Sequence, residues 1–143
     1  MSKESINIGI AGEHLVIAKL SELGFVVSNT EKNTEAIDVL ACYPETMKTF
    51  AIQVKTTSNQ KDWLLGKKNE NLIHKNFFYV FVKITKTIPE FYVVPSSIVA
   101  NNISENHKNW LSAPGKNGQK HNDSGIRTFL PDIEYKDNWG VLK

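Results

Sequence analysis

Phe50-Ala51-Ile52-Gln53-Val54-Lys55 (residues 50–55) and the earlier run Ala36-Ile37-Asp38-Val39-Leu40-Ala41 (residues 36–41) decide the fold of this chain. Side chains alternate across a strand, so Phe50, Ile52 and Val54 point one way while Ala51, Gln53 and Lys55 point the other. The two runs flank a turn containing Pro44, which predicts a β-hairpin or a close relative. On the first strand Asp38 shares a face with Ala36 and Leu40, and the matching register sets its carboxylate beside Gln53 and Lys55. Polar groups inside apolar runs are costly unless compensated. A bound divalent cation would compensate them.

Upstream, residues 6–23 have helical periodicity and end at Gly24. At about 100° per residue, Gly12, Leu23, Val16, Leu20, Ile17 and Ile10 fall in one arc. Glu13 lies inside that arc and is its only charge. Phe25-Val26-Val27 then predicts a short strand, and residues 28–34 a polar turn.

Downstream, residues 56–76 carry no clear period; Trp63-Leu64-Leu65 is ambiguous, and residues 70–74 only hint at a helix. Phe77 to Val82 is continuously apolar, as expected of a strand covered on both faces, and Phe91 to Val94 is a second such run after a turn at Ile88-Pro89. A helix over about 96–110 follows from the spacing of Val99, Ile103 and Trp110. Ser112 to Gly125 reads as a long loop. Tyr135, Trp139 and Leu142 repeat at helical spacing despite Gly140. Trp63, Trp110 and Trp139 are expected to anchor the core. His107 and His121 lack the paired spacing of a metal site and read as surface or loop residues.

A chain of 143 residues suits one domain over 1–143. Its hydrophobic and charged fractions, 41% and 22%, are those of a globular protein and exclude a disordered or fibrous one. The single cysteine, Cys42, adjoins an apolar run and is expected in the core, in a reducing compartment. With no signal-like start and no long apolar segment, a cytoplasmic protein with no membrane span is expected. The net charge of +2 hides an asymmetry: residues 1–50 hold 4 basic and 7 acidic side chains, and residues 51–129 hold 11 and 5. A basic middle part suits contact with phosphates.

The order of helix with Glu13, strand with Asp38 and strand with Gln53-Val54-Lys55 resembles the PD-(D/E)XK nuclease superfamily, over roughly residues 9–57. The glutamate on the first helix is similar to that of Holliday-junction resolvase-like members. The resemblance implies an α/β, restriction-endonuclease-like fold, a mixed central β-sheet flanked by helices, and metal-dependent hydrolysis of DNA phosphodiester bonds. It assigns Asp38, Gln53, the Val54 carbonyl and Glu13 to a Mg²⁺ (or Mn²⁺) ion, and gives Lys55 the task of orienting water and stabilising charge on the phosphate. Double-strand cutting by such a domain calls for a homodimer.

Two departures stand out. Ala36-Ile37-Asp38 lacks the nominal proline, which removes no ligand. Gln53 replaces an acid and deletes one negative charge; a unit pair at ~4 Å and an effective dielectric near 20 is worth roughly 4 kcal/mol before desolvation. The Gln-x-Lys form resembles Mrr-type restriction nucleases. The competing expectation is an inactive nucleic-acid-binding or assembly module that keeps the fold. A plainer one is a buried cluster in which Glu13 pairs with Lys55 beside Asp38 and no metal is needed. Lys116, Lys120 and His121 in the long loop are the candidate phosphate contacts, the bland alternative being an ordinary surface loop.

Overall fold

The computed structural model describes residues 2–31 and 36–143. Helix α1 spans Lys3–Glu22 and starts three residues before the apolar period does, because the Ser2 side chain caps it by accepting from Ser5 N–H at 3.1 Å. It stops at Leu23, and Gly24 supplies the left-handed turn at φ 94°. Strand β1 (Val26–Asn29) follows; the polar turn expected over 28–34 falls partly outside the described residues.

Strands β2 (Val39–Tyr43) and β3 (Lys48–Thr57) form the expected antiparallel pair. The chain then makes β4 (Trp63–Gly66), a 3₁₀ turn over Lys67–Asn71, β5 (Phe77–Lys83) and β6 (Glu90–Pro95). Helix α2 (Ser96–Ser112), β7 (Ile126–Phe129) and two 3₁₀ turns, Ile133–Tyr135 and Trp139–Leu142, complete it. The main sheet has the order β1-β2-β3-β5-β6, mixed because β3 and β5 run parallel, and β4 pairs β7 in a second, two-stranded sheet. The fold class is α/β.

Each face of the main sheet carries its own core. Val39, Ile52, Val54 and Val80 face α1, where Val16 and Leu20 are fully buried. Burying each of these side chains contributes about 1.5–3 kcal/mol. Gly12 lets the helix come close: a Cβ there would stand 1.8 Å from Thr56 Oγ1 on β3. On the other face Phe77, Tyr79 and Phe81 pack under α2 and the β4–β7 ribbon, through Val99, Ile103, Trp63 and Phe129.

Four expectations are corrected. Cys42 is half-buried on β2 rather than enclosed, since that strand lies next to the short edge strand β1. Trp110 is 42% exposed and anchors no core; its ring stacks between those of His107 and His121, with centroids 5.7 and 4.1 Å away. His107 in turn is largely covered and pairs with Asp123 at 2.8 Å. The C-terminal helix is absent: Asp137 takes a left-handed φ of 52°, so Trp139 and Leu142 enter the α1-side core while Tyr135 packs on the opposite one.

Candidate active site

Strand β2 begins at Val39, opposite Ile52, while β3 continues to Thr57. Asp38 stands at this fork. Its N–H donates to Ile52 O at 2.9 Å, and two residues earlier Ala36 takes a φ of 65° that carries the chain off the sheet. The next β3 donor on that edge, Val54 N–H, therefore lacks a strand partner. The Asp38 carboxylate replaces it, accepting from Val54 N–H through Oδ2 at 2.7 Å. A charged acceptor on a backbone donor makes a strong bond. Because Asp38 N–H bonds the carbonyl of Ile52, the residue already opposite Val39, the regular register ends at Val39. Gln53 and Lys55 share the face of β3 that looks toward Tyr79 and Phe81, and the Asp38 carboxylate meets β3 at its edge through Val54 N–H.

Their electrostatics oppose one another. Burial raises the Asp38 carboxyl above its ordinary pKa, against the Val54 N–H and Lys55, which both pull it down. Burial lowers the Lys55 ammonium, with Asp38 holding it up and Lys68 pushing it further down. Buried acids and amines with their charged forms disfavoured occur in proton-handling sites and in structural ion pairs alike.

Gln53 is 8% exposed, and its Oε1 accepts from Asn69 Nδ2 at 3.3 Å. Asn69, itself 1% exposed in the 3₁₀ turn, also donates to Tyr79 Oη at 2.8 Å. Neither partner could be read from the sequence: Asn69 sits in the polar run Lys67-Lys68-Asn69-Glu70-Asn71, and Tyr79 in a continuous apolar one. Glu13 is half-buried on α1 beside Gly12, and its helix packs on the face of β3 that carries Ile52, Val54 and Thr56. Glu13 is engaged with neighbouring groups.

Beside Lys55 a cleft of about 410 Å³ opens between the first turns of α1, at Glu4 and Ser5, and the β3–β4 loop, at Ser58, Asn59 and Gln60. Lys116 and Lys120 are exposed on the long loop. His121 stacks on Trp110 and bonds its carbonyl through Nδ1 at 2.6 Å. The loop's far end joins the 3₁₀ turn, where Lys67 N–H donates to Gly125 O at 2.9 Å.

The donor set partly fits a divalent cation. Mg²⁺ prefers hard oxygens and retains several waters. Asp38 keeps Oδ1 after Oδ2 has met Val54. The Val54 carbonyl leaves β3 on the same edge as its N–H, the edge that β2 has left. Gln53 fits less well, its oxygen being taken up by Asn69. Among the described residues no group of three His, Cys, Asp or Glu side chains converges on one point.

No protein-family model matches the sequence, and no curated protein matches it. Solved structures do. A bacterial homing endonuclease, I-Ssp6803I, superposes with a TM-score of 0.53 over 94% of this chain and 87% of its own, at 12% identity. The fold is restriction-endonuclease-like. Hjc, a Holliday junction resolvase from Archaeoglobus fulgidus, aligns at 10% identity and a TM-score of 0.46 over 82% of this chain and 86% of its own. At these identities the likeness is one of fold.

Proposed function

We propose that the chain is a divalent-metal-dependent nuclease acting on DNA phosphodiester bonds. The observation that carries this reading is the fork at Asp38. One carboxylate, one outward carbonyl at Val54 and one amine, Lys55, gather where the sheet opens beside a cleft. A homing endonuclease sharing the fold supports DNA as the substrate class.

In this reading Asp38 Oδ1 and the Val54 carbonyl hold the ion, with Glu13 at the ion or its water. When bound, the metal supplies Lewis-acid polarisation of the phosphate and a more acidic water. Lys55 faces the same space. Protonated, it donates to the attacking water and stabilises the charge that grows on the phosphoryl oxygens. Lys116 and Lys120 contact DNA backbone away from the reaction, with His121 anchoring their loop to α2. A homodimer would supply a second site for cutting both strands.

A non-catalytic DNA-binding module is the second reading, favoured by the inward turn of Gln53 toward Asn69. Incubation with Mg²⁺ or Mn²⁺ and single-stranded, duplex and branched DNA separates the two. The nuclease reading expects cleavage of at least one substrate, abolished by EDTA. Binding without cleavage of any of them supports the module.

A further inference from the structure

Gln53 and Asn69 carry an inference that rests on the nuclease reading and deepens it. The Asn69 amide has a single consistent orientation, because its Oδ1 accepts from Gly66 N–H at 2.9 Å. Its Nδ2 is thereby directed at Tyr79 Oη and Gln53 Oε1, at 2.8 and 3.3 Å. Turning the Gln53 amide over would oppose two NH₂ groups, donor against donor, at a residue 1% exposed. The oxygen of Gln53 is thus held on the Asn69 side. The nitrogen is the free end: Nε2 has no hydrogen-bond partner among the described residues, yet it is not one of the sealed polar atoms, so it reaches solvent. Its residue shares a face of β3 with Lys55, two positions on.

We propose that Gln53 serves this site as a hydrogen-bond donor to a phosphoryl oxygen rather than as a metal ligand, and that Asn69 is the positioning residue that aims it. An acid at this position would set a negative oxygen against an arriving polyanion; the amide sets an N–H there. The ion is then left to Asp38, the Val54 carbonyl and Glu13, and affinity for the phosphate is gained where affinity for the metal is given up.

The test uses calorimetric Mn²⁺ titration without DNA, and duplex DNA binding in EDTA, so neither readout depends on turnover. Gln53→Leu, and the near-isosteric Gln53→Met as a check on packing, are expected to bind Mn²⁺ within about twofold of wild type and to bind DNA roughly tenfold more weakly. Asn69→Asp retains the Gly66 bond but presents an acceptor where Nδ2 donated, which turns the Gln53 amide over. It is expected to weaken DNA binding more in the Gln53 protein than in the Gln53→Leu protein, a comparison in which its own charge cancels. Loss of Mn²⁺ affinity by tenfold or more in Gln53→Leu, or equal effects of Asn69→Asp in the two backgrounds, overturns the proposal. If wild type still cuts DNA in that case, the nuclease reading stands without it. A wild type that binds neither Mn²⁺ nor DNA overturns both.

Discussion

Asp38 has two duties that different substitutions separate. Its carboxylate closes the Val54 N–H that β2 leaves open, so Asp38→Ala orphans a partly buried donor and lowers stability by about 1–3 kcal/mol. Asp38→Asn keeps an acceptor there and removes the buried charge. Because burial holds the Asp38 pKa above its ordinary value, its favourable contribution is complete below that value and is lost as pH rises through the raised one. Lys55 is the mirror case: lowered by burial, it contributes fully above the ordinary lysine pKa and loses this as pH falls through the depressed one. Between the two shifted values both groups are charged and both oppose folding. Asp38→Asn and Lys55→Met are therefore each expected to raise the melting temperature in EDTA at neutral pH, by on the order of 1 kcal/mol or about 3 °C. Unchanged or lowered melting temperatures in both would show that neither buried charge weighs on the fold.

At the scale of elements, α1 is set on β3 by a missing side chain. Gly12→Ala drives a methyl into Thr56 Oγ1 and is expected to cost about 1–3 kcal/mol, although alanine is the better helix former; a more stable variant in chemical denaturation would contradict this packing. The β4–β7 ribbon is fastened to the 3₁₀ turn by the buried ion pair of Arg127 with Glu70. Arg127 is the more enclosed partner, so Glu70→Ala is expected to cost about 3 kcal/mol and Arg127→Met less. The reverse order would mean that Glu70 carries the burial penalty. The apolar alternation of β3 and the helical arc of α1 could be read in the sequence because each is a local period. The ribbon could not. Its strands have four residues each and pair across about sixty positions of chain, which no local pattern records. Tyr135, Trp139 and Leu142 show the opposite error, a helical spacing that the left-handed Asp137 breaks.

At the scale of the whole molecule, the mixed sheet with helices was what the family resemblance implied rather than what any local period showed, and the structure has one. Of the site, Asp38, Gln53 and Lys55 were visible as polar residues in apolar runs; Gln53 and Lys55 share a face of β3 by alternation, while the contact of Asp38 with Val54 N–H arises where the register ends and no local period records it. Asn69, which orients Gln53, was not visible, since its burial depends on where the 3₁₀ turn docks. Of the basic residues of 51–129, Lys67, Lys68, Lys116 and Lys120 lie on the long loop and the turn it joins. Lys116→Ala and Lys120→Ala are each expected to weaken DNA binding uniformly across sequences and to lower the salt-dependence slope by about 1; an unchanged slope in both removes the loop from the interface.

Metal-dependent DNA cleavage by wild type, Asp38→Asn and Lys55→Met under single-turnover conditions tests the central claim most directly. The fork at Asp38 as a catalytic centre predicts Mg²⁺- or Mn²⁺-dependent cutting by wild type and losses of about 10²-fold or more in both variants, with folding intact. Cleavage by either variant at the wild-type rate, or its absence in wild type with every metal and DNA form, would contradict it.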